Sequence, residues 1–124
     1  MKTTLAISQM SVSKDYEENI KKATQLIREA KSKGADLILL QELFERPYFC
    51  QIEDYERFDY AEEYEHSKTL EYFQKLAKEL EIVLPISFFE KSGNCYYNSI
   101  CVIDKDGERK GLYRKTHIPT GQCY

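Results

Sequence analysis

The spacing of apolar positions changes along the chain, and each change predicts an element. In TLAISQM, residues 4–10, Leu5 and Ile7 alternate with smaller or polar neighbours, the period of a short strand. The period then lengthens. Tyr16, Ile20, Ala23, Ile27 and Ala30 recur at steps of four and three, which puts them on one stripe of a helix that starts near Asp15 and stops at Gly34. The opposite face is Lys, Glu and Arg, so this helix lies on a surface. ADLILLQE follows, and its uninterrupted apolar run over residues 37–40 predicts a strand buried on both faces. Strand, helix, strand is a βαβ unit.

Residues 45–66 carry Pro47, many tyrosines and many acids without clean periodicity, which predicts a long, partly ordered excursion. Ser67 then caps a second helix whose stripe is Leu70, Phe73, Ala77 and Leu80, ending near Glu81. IVLPISFFE and YYNSICVIDKDGERKGLYRK read as strands, with Lys105, Asp106 and Gly107 making the turn before the last of them. Pro85 removes one ladder donor and predicts an irregularity or a sheet edge. Without a linker, repeat or low-complexity tract, residues 1–124 form a single α/β unit.

Composition narrows the function classes. At 42% hydrophobic and 31% charged, the 124-residue chain is globular in type. Its longest apolar run falls far short of the roughly 20 residues that cross a bilayer, so no membrane partner is expected. The N-terminus has one cation but no apolar stretch of signal length, which points to the cytoplasm. A net charge of -3 with scattered lysines offers no basic stripe, and nucleic acid is excluded as a partner. Cys50, Cys95, Cys101 and Cys123 show neither Cys-x-x-Cys pairs nor zinc spacing, so free thiols and no metal are expected.

Glu42 stands out because it ends a strand, where ligand sites of α/β sheets gather. A poorly solvated carboxylate there suits a general base; the plainer alternative is a capping or salt-bridged Glu. Lys115 ends another strand before a stiff His-Ile-Pro turn, and a cation fixed there would face a developing oxyanion. Its plainer alternative is an exposed lysine beside Lys110 and Arg114. The strand spacing of Cys95 and Cys101 suits packing, Cys50 is placed near the Glu42 pocket, and His117 is expected to fix its loop by hydrogen bonding. His66, before the second helix, receives no role.

LLQELFERPYFCQ, YYNSICVIDKDG and GLYRKTHIP, taken together and in this order, resemble the nitrilase, or carbon-nitrogen hydrolase, superfamily along essentially the whole chain. QELFE followed by YFCQ looks most like the branch that hydrolyses N-carbamoylputrescine. The resemblance implies the N-terminal half of a four-layer αββα sandwich, no cofactor, and a Glu-Lys-Cys set. Glu42 matches the family's proton-taking glutamate and Lys115 its oxyanion-steadying lysine, while Asn98-Ser99 and Asp106-Gly107 match positions expected to be structural.

The family nucleophile lies downstream of the Lys-x-His-x-Pro loop on a sharp turn after another strand, so none is expected within these 124 residues. Cys123, eight residues after Lys115 in a Gly-containing tail, has no strand to hold it rigidly. The chain alone is therefore expected to be an inactive fragment, and the complete protein a homo-oligomer acting on a small carbamoyl or amide compound. N-Carbamoyl-β-alanine is the alternative substrate, and a non-catalytic α/β binding module the alternative of another class. The acids between Glu53 and Glu65 read as solvated surface, or as a pocket mouth that favours an ammonium-bearing substrate.

Overall fold

Local signals set the helix ends. In the computed structural model, which describes residues 1–48 and 55–118, α1 spans Tyr16–Ser32 and α2 spans Lys68–Leu80. Asp15 caps α1 by accepting the Glu18 N–H, and Glu17 and Glu18 place negative charge against the positive end of the helix dipole. Ser67 caps α2 through the Leu70 N–H at 3.0 Å. Asn19, Ile20, Ala23 and Ile27 bury one face of α1; Leu70, Phe73, Leu76 and Ala77 bury one face of α2.

Between and after these helices run β1 (Leu5–Ile7), β2 (Leu37–Leu39), β3 (Glu62–Glu63), β4 (Leu84–Ser92), β5 (Cys95–Ile103) and β6 (Arg109–Arg114). β1 pairs in parallel with β2, Ala6 opposite Ile38, which completes the βαβ unit. β4, β5 and β6 form an antiparallel meander, and the two-residue β3 pairs in parallel with β4 at Glu90 and Lys91. A bridge between Leu37 and Val83 links the two groups of strands. Pro85 sits opposite Val102 without breaking the β4–β5 register, on the stretch of β4 between that bridge and β3. Its missing N–H therefore falls on an open edge, where it costs no ladder bond.

The core lies on one side of this sheet. Ile38, Phe88, Cys101 and Ile103 meet Ile20, Ile27, Phe44 and Phe73, with the Phe44 and Phe73 rings edge to face at 5.6 Å. The other side is different. Side chains alternate across a strand, so Ile38 points into the core while Leu39 is 41% exposed beside Leu5 and Ile7. The expectation of a strand buried on both faces is corrected here: both helices cover the same face. Val102 and Tyr113 continue the apolar exposure across β5 and β6.

In the described part of the excursion after residue 45, 3₁₀ turns at Tyr55–Tyr60 and Tyr64–His66 flank β3. Cys50, Glu53 and Cys123 lie outside the described residues. Asp106 and Gly107 form the expected turn, with Gly107 at φ 84° and no room for a Cβ, which would stand 2.8 Å from the Gln74 carbonyl oxygen. No described helix is long and apolar enough to cross a membrane.

Candidate active site

Glu42 leaves the end of β2 in a tight turn over residues 42–45. Leu43 has φ 49°, a left-handed conformation that costs a bulky residue energy, and the fold over-determines it: Leu43 is buried, and its N–H donates to Ser87 Oγ on β4 at 2.9 Å. This strained step turns the Glu42 carboxylate onto the face of the sheet opposite the helices. β6 delivers Lys115 to the same place, because the Lys115 N–H donates to the Asn98 carbonyl at 2.8 Å and extends the β5–β6 ladder by one bond.

The result is a convergence on one oxygen. Lys115 Nζ stands 3.1 Å from Glu42 Oε1, and Asn98 Nδ2 donates to that same atom. An open cavity of about 260 Å³ is lined by these three with Leu40, Ile100 and Tyr113, apolar walls around a small polar cluster. The Glu42 side chain remains 42% exposed and that of Lys115 36%, so the expected poor solvation of the carboxylate is not met in this chain. Its strand is covered on one face alone, and water reaches it from the other.

Asn98 also reaches the site, its amide meeting Glu42 across 56 positions of sequence. The signal was available: alternation along β5 puts Asn98 and Ile100 on the face opposite Ser99 and Cys101. Ser99 does belong to the frame. Its hydroxyl donates to Glu90 at 2.8 Å, and Arg114 holds the buried Glu90 carboxylate through Nε at 2.8 Å and Nη2 at 2.6 Å while stacking on Tyr97. These Arg114 contacts, aided by Ser99, hold Glu90 below the usual carboxylate range.

An Arg114→Met substitution removes the partner of a buried charge one residue before Lys115. A fully buried pair would lose about 3–5 kcal/mol. Arg114 is largely solvated, so the expected loss is well below that of a fully buried pair and is read as a lower urea midpoint. Because Glu90 is depressed in the folded state, the pair stabilises at neutral pH and its contribution fades as pH falls through the depressed value, so wild type and variant converge in acid.

The described cysteines are elsewhere. Cys101 is buried in the core, where burial pushes its thiol up, and it packs as expected. Cys95 is exposed at the β4–β5 hairpin, so its expected packing role is corrected. His117 and His66 are exposed. Glu63 and Glu65 line a separate depression with Glu90 and Arg114, and Glu56 another with Arg46 and Arg57; none of these acids lines the Glu42 cavity. Among the described residues no group of three or more His, Cys, Asp or Glu is placed to hold a metal ion.

A βαβ start, a sheet with both helices on one face, and a Glu-Lys contact on the other define an α/β half-sandwich. The carbon-nitrogen hydrolase family model matches residues 4–123, and the chain belongs to that family. Among curated relatives it is 50% identical over 123 residues to an N-carbamoylputrescine amidase of Oryza sativa subsp. japonica, covering 99% of this chain and 41% of that protein. A citrullinase of Francisella tularensis is 42% identical over 97% of this chain and 42% of its own length. A crystal structure of a carbon-nitrogen hydrolase from Helicobacter pylori G27 superimposes with a TM-score of 0.84 at 36% identity, over 92% of this chain and 40% of that one. The chain thus spans about 40% of the length of the relatives it matches.

Proposed function

We propose that this chain supplies the base and the oxyanion-stabilising cation of a thiol-dependent amidohydrolase whose substrate is N-carbamoylputrescine. The observation that carries this reading is the meeting of Lys115 and Asn98 on a single oxygen of Glu42 at an apolar-walled cavity. With Oε1 taking both donors, Oε2 is left to accept a thiol proton. The family's cysteine, outside the described residues, attacks the carbamoyl carbon as that proton moves to Glu42. The carbonyl oxygen becomes an oxyanion beside Lys115 Nζ.

Collapse of the tetrahedral species breaks a C–N bond, and Glu42 returns the proton to the departing nitrogen. Water then adds to the thioester, Glu42 takes its proton, and the C–S bond breaks to regenerate the thiol. The carbamic acid so formed falls apart to amine and carbon dioxide. No step calls for a metal or an organic cofactor. In this reading residues 1–124 are part of one catalytic domain, the complete protein is a homo-oligomer, and the reaction runs in the cytoplasm, where Cys95 and Cys101 stay reduced.

Full-length protein is expected to release ammonia from N-carbamoylputrescine with a kcat/KM at least about tenfold above that for N-carbamoyl-β-alanine or citrulline. Equal rates on all three would remove the putrescine assignment, and hydrolysis of none would remove the hydrolase reading.

A further inference from the structure

Ser87 is the one polar side chain in the apolar run of β4 from Leu84 to Phe89. It is 8% exposed, and a hydroxyl buried that far costs free energy unless it is hydrogen-bonded. Its partner is the Leu43 N–H, which donates to Ser87 Oγ at 2.9 Å from 44 positions away. Ser87 stands opposite Ile100 in the β4–β5 ladder and lines the Glu42 cavity with it, so this bond is made at the wall of that cavity.

The Leu43 N–H belongs to the peptide unit that joins Glu42 to Leu43. A peptide unit is planar, so holding its N–H fixes ψ of Glu42 and φ of Leu43 together. That φ is 49°, a left-handed value that costs a bulky residue energy. Rotation of this one unit would return Leu43 to negative φ, and the same rotation would redirect Glu42. The bond to Ser87 opposes it. On the other side of Glu42 the chain is pinned as well, since the Gln41 side chain accepts the Met10 N–H at 2.6 Å and donates to the Met10 carbonyl at 2.8 Å. Glu42 therefore leaves the sheet between two main-chain anchors, while Asn98 and Lys115 reach its carboxylate.

We propose that Ser87 is a positioning residue for Glu42: its hydroxyl holds the Glu42–Leu43 peptide unit in its strained orientation and so sets the direction in which the carboxylate enters the cavity. This rests on the reading of Glu42 as the base. Ser87 acts through the main chain and takes no part in proton transfer. Its loss lowers the fraction of molecules in which Glu42 meets Lys115 and Asn98, and leaves the contacts that bind substrate in place. The signature is a fall in kcat with KM nearly unchanged. Catalysis is sensitive to such a change, because a misplacement of about 1 Å costs on the order of 100-fold in rate.

Kinetics of the full-length protein with N-carbamoylputrescine, paired with crystal structures of the variants, test this. Ser87→Thr and Ser87→Val have nearly the same shape and differ in the hydroxyl. Thr is expected to keep kcat within about threefold; Val is expected to lower it about 10- to 100-fold with KM within about twofold, and to release Glu42 from Lys115. Ser87→Ala removes the hydroxyl without adding bulk and is expected to fall with Val, which covers a Val variant that does not fold. In a Glu42→Gln background, Ser87→Ala is expected to cost less than about twofold more, because the group it positions is already gone. An Ala variant with wild-type kcat and an unmoved Glu42 would overturn the proposal, as would a Thr variant that falls as far as Val, or losses that multiply in the double variant. If the wild-type protein hydrolyses no carbamoyl or amide compound, the functional reading fails, and φ of Leu43 and the position of Glu42 in the crystal structure of the Ala variant decide the role of Ser87 by themselves.

Discussion

Replacing Glu42 with glutamine in the full-length protein is expected to lower kcat by about a thousandfold or more while leaving the fold intact. The amide oxygen that Glu42→Gln introduces can still accept from Lys115 Nζ and Asn98 Nδ2, so the local geometry survives. On the proposed mechanism what is lost is basicity, and without it neither the thiol proton nor the proton of the hydrolytic water has a destination. The side chain is 42% exposed, so the thermal midpoint is expected to move by no more than a degree or two, the response to about 0.5 kcal/mol at the surface. Stopped-flow acylation together with alkylation of the nucleophile by iodoacetamide measures the effect directly. A Gln variant that retains a tenth of the wild-type rate would show that another group takes the proton.

Lys115→Met is expected to cost about 10²- to 10³-fold in kcat, the usual loss on removing one preorganised oxyanion donor. As a contact between partly exposed side chains, the Lys115–Glu42 pair contributes no more than about 1 kcal/mol to folding. Its value lies in the cation's position, fixed through the main-chain bond from Lys115 N–H to the Asn98 carbonyl. Arginine is expected to rescue poorly, since a planar fork puts its charge at a different distance from the carbonyl oxygen than a compact ammonium does. Steady-state kinetics of both variants, with KM nearly constant, is the expected pattern; a loss confined to KM would make Lys115 a substrate-binding group instead.

How far the site was legible depends on the range of the interactions that make it. Glu42 and Lys115 were each marked by a strand end and by family motif, since both signals are local. The meeting of Asn98 with Glu42 is not legible in the sequence, because it depends on strand register and on where the Leu43 turn points. Glu45 reads in the sequence as one more acid at the start of a polar excursion, yet the fold buries it.

The two helices, the start of the first near Asp15 and the Ser67 cap of the second, the order of β1, β2, β4, β5 and β6 and the turn at Gly107 are legible in the amino-acid order, because a period of apolar residues, a side-chain cap and a positive φ are settled within a few residues. Three features emerged only when the chain was folded: both helices pack on one face of the sheet, Leu39 is exposed while Ile38 is buried, and Glu42, Asn98 and Lys115 meet at one oxygen atom. An apolar run predicts burial without saying which neighbour will provide it. Both helices pack on one side of this sheet, and the carboxylate, the amide and the ammonium, 73 positions apart at their extremes, are left facing the same cavity on the other.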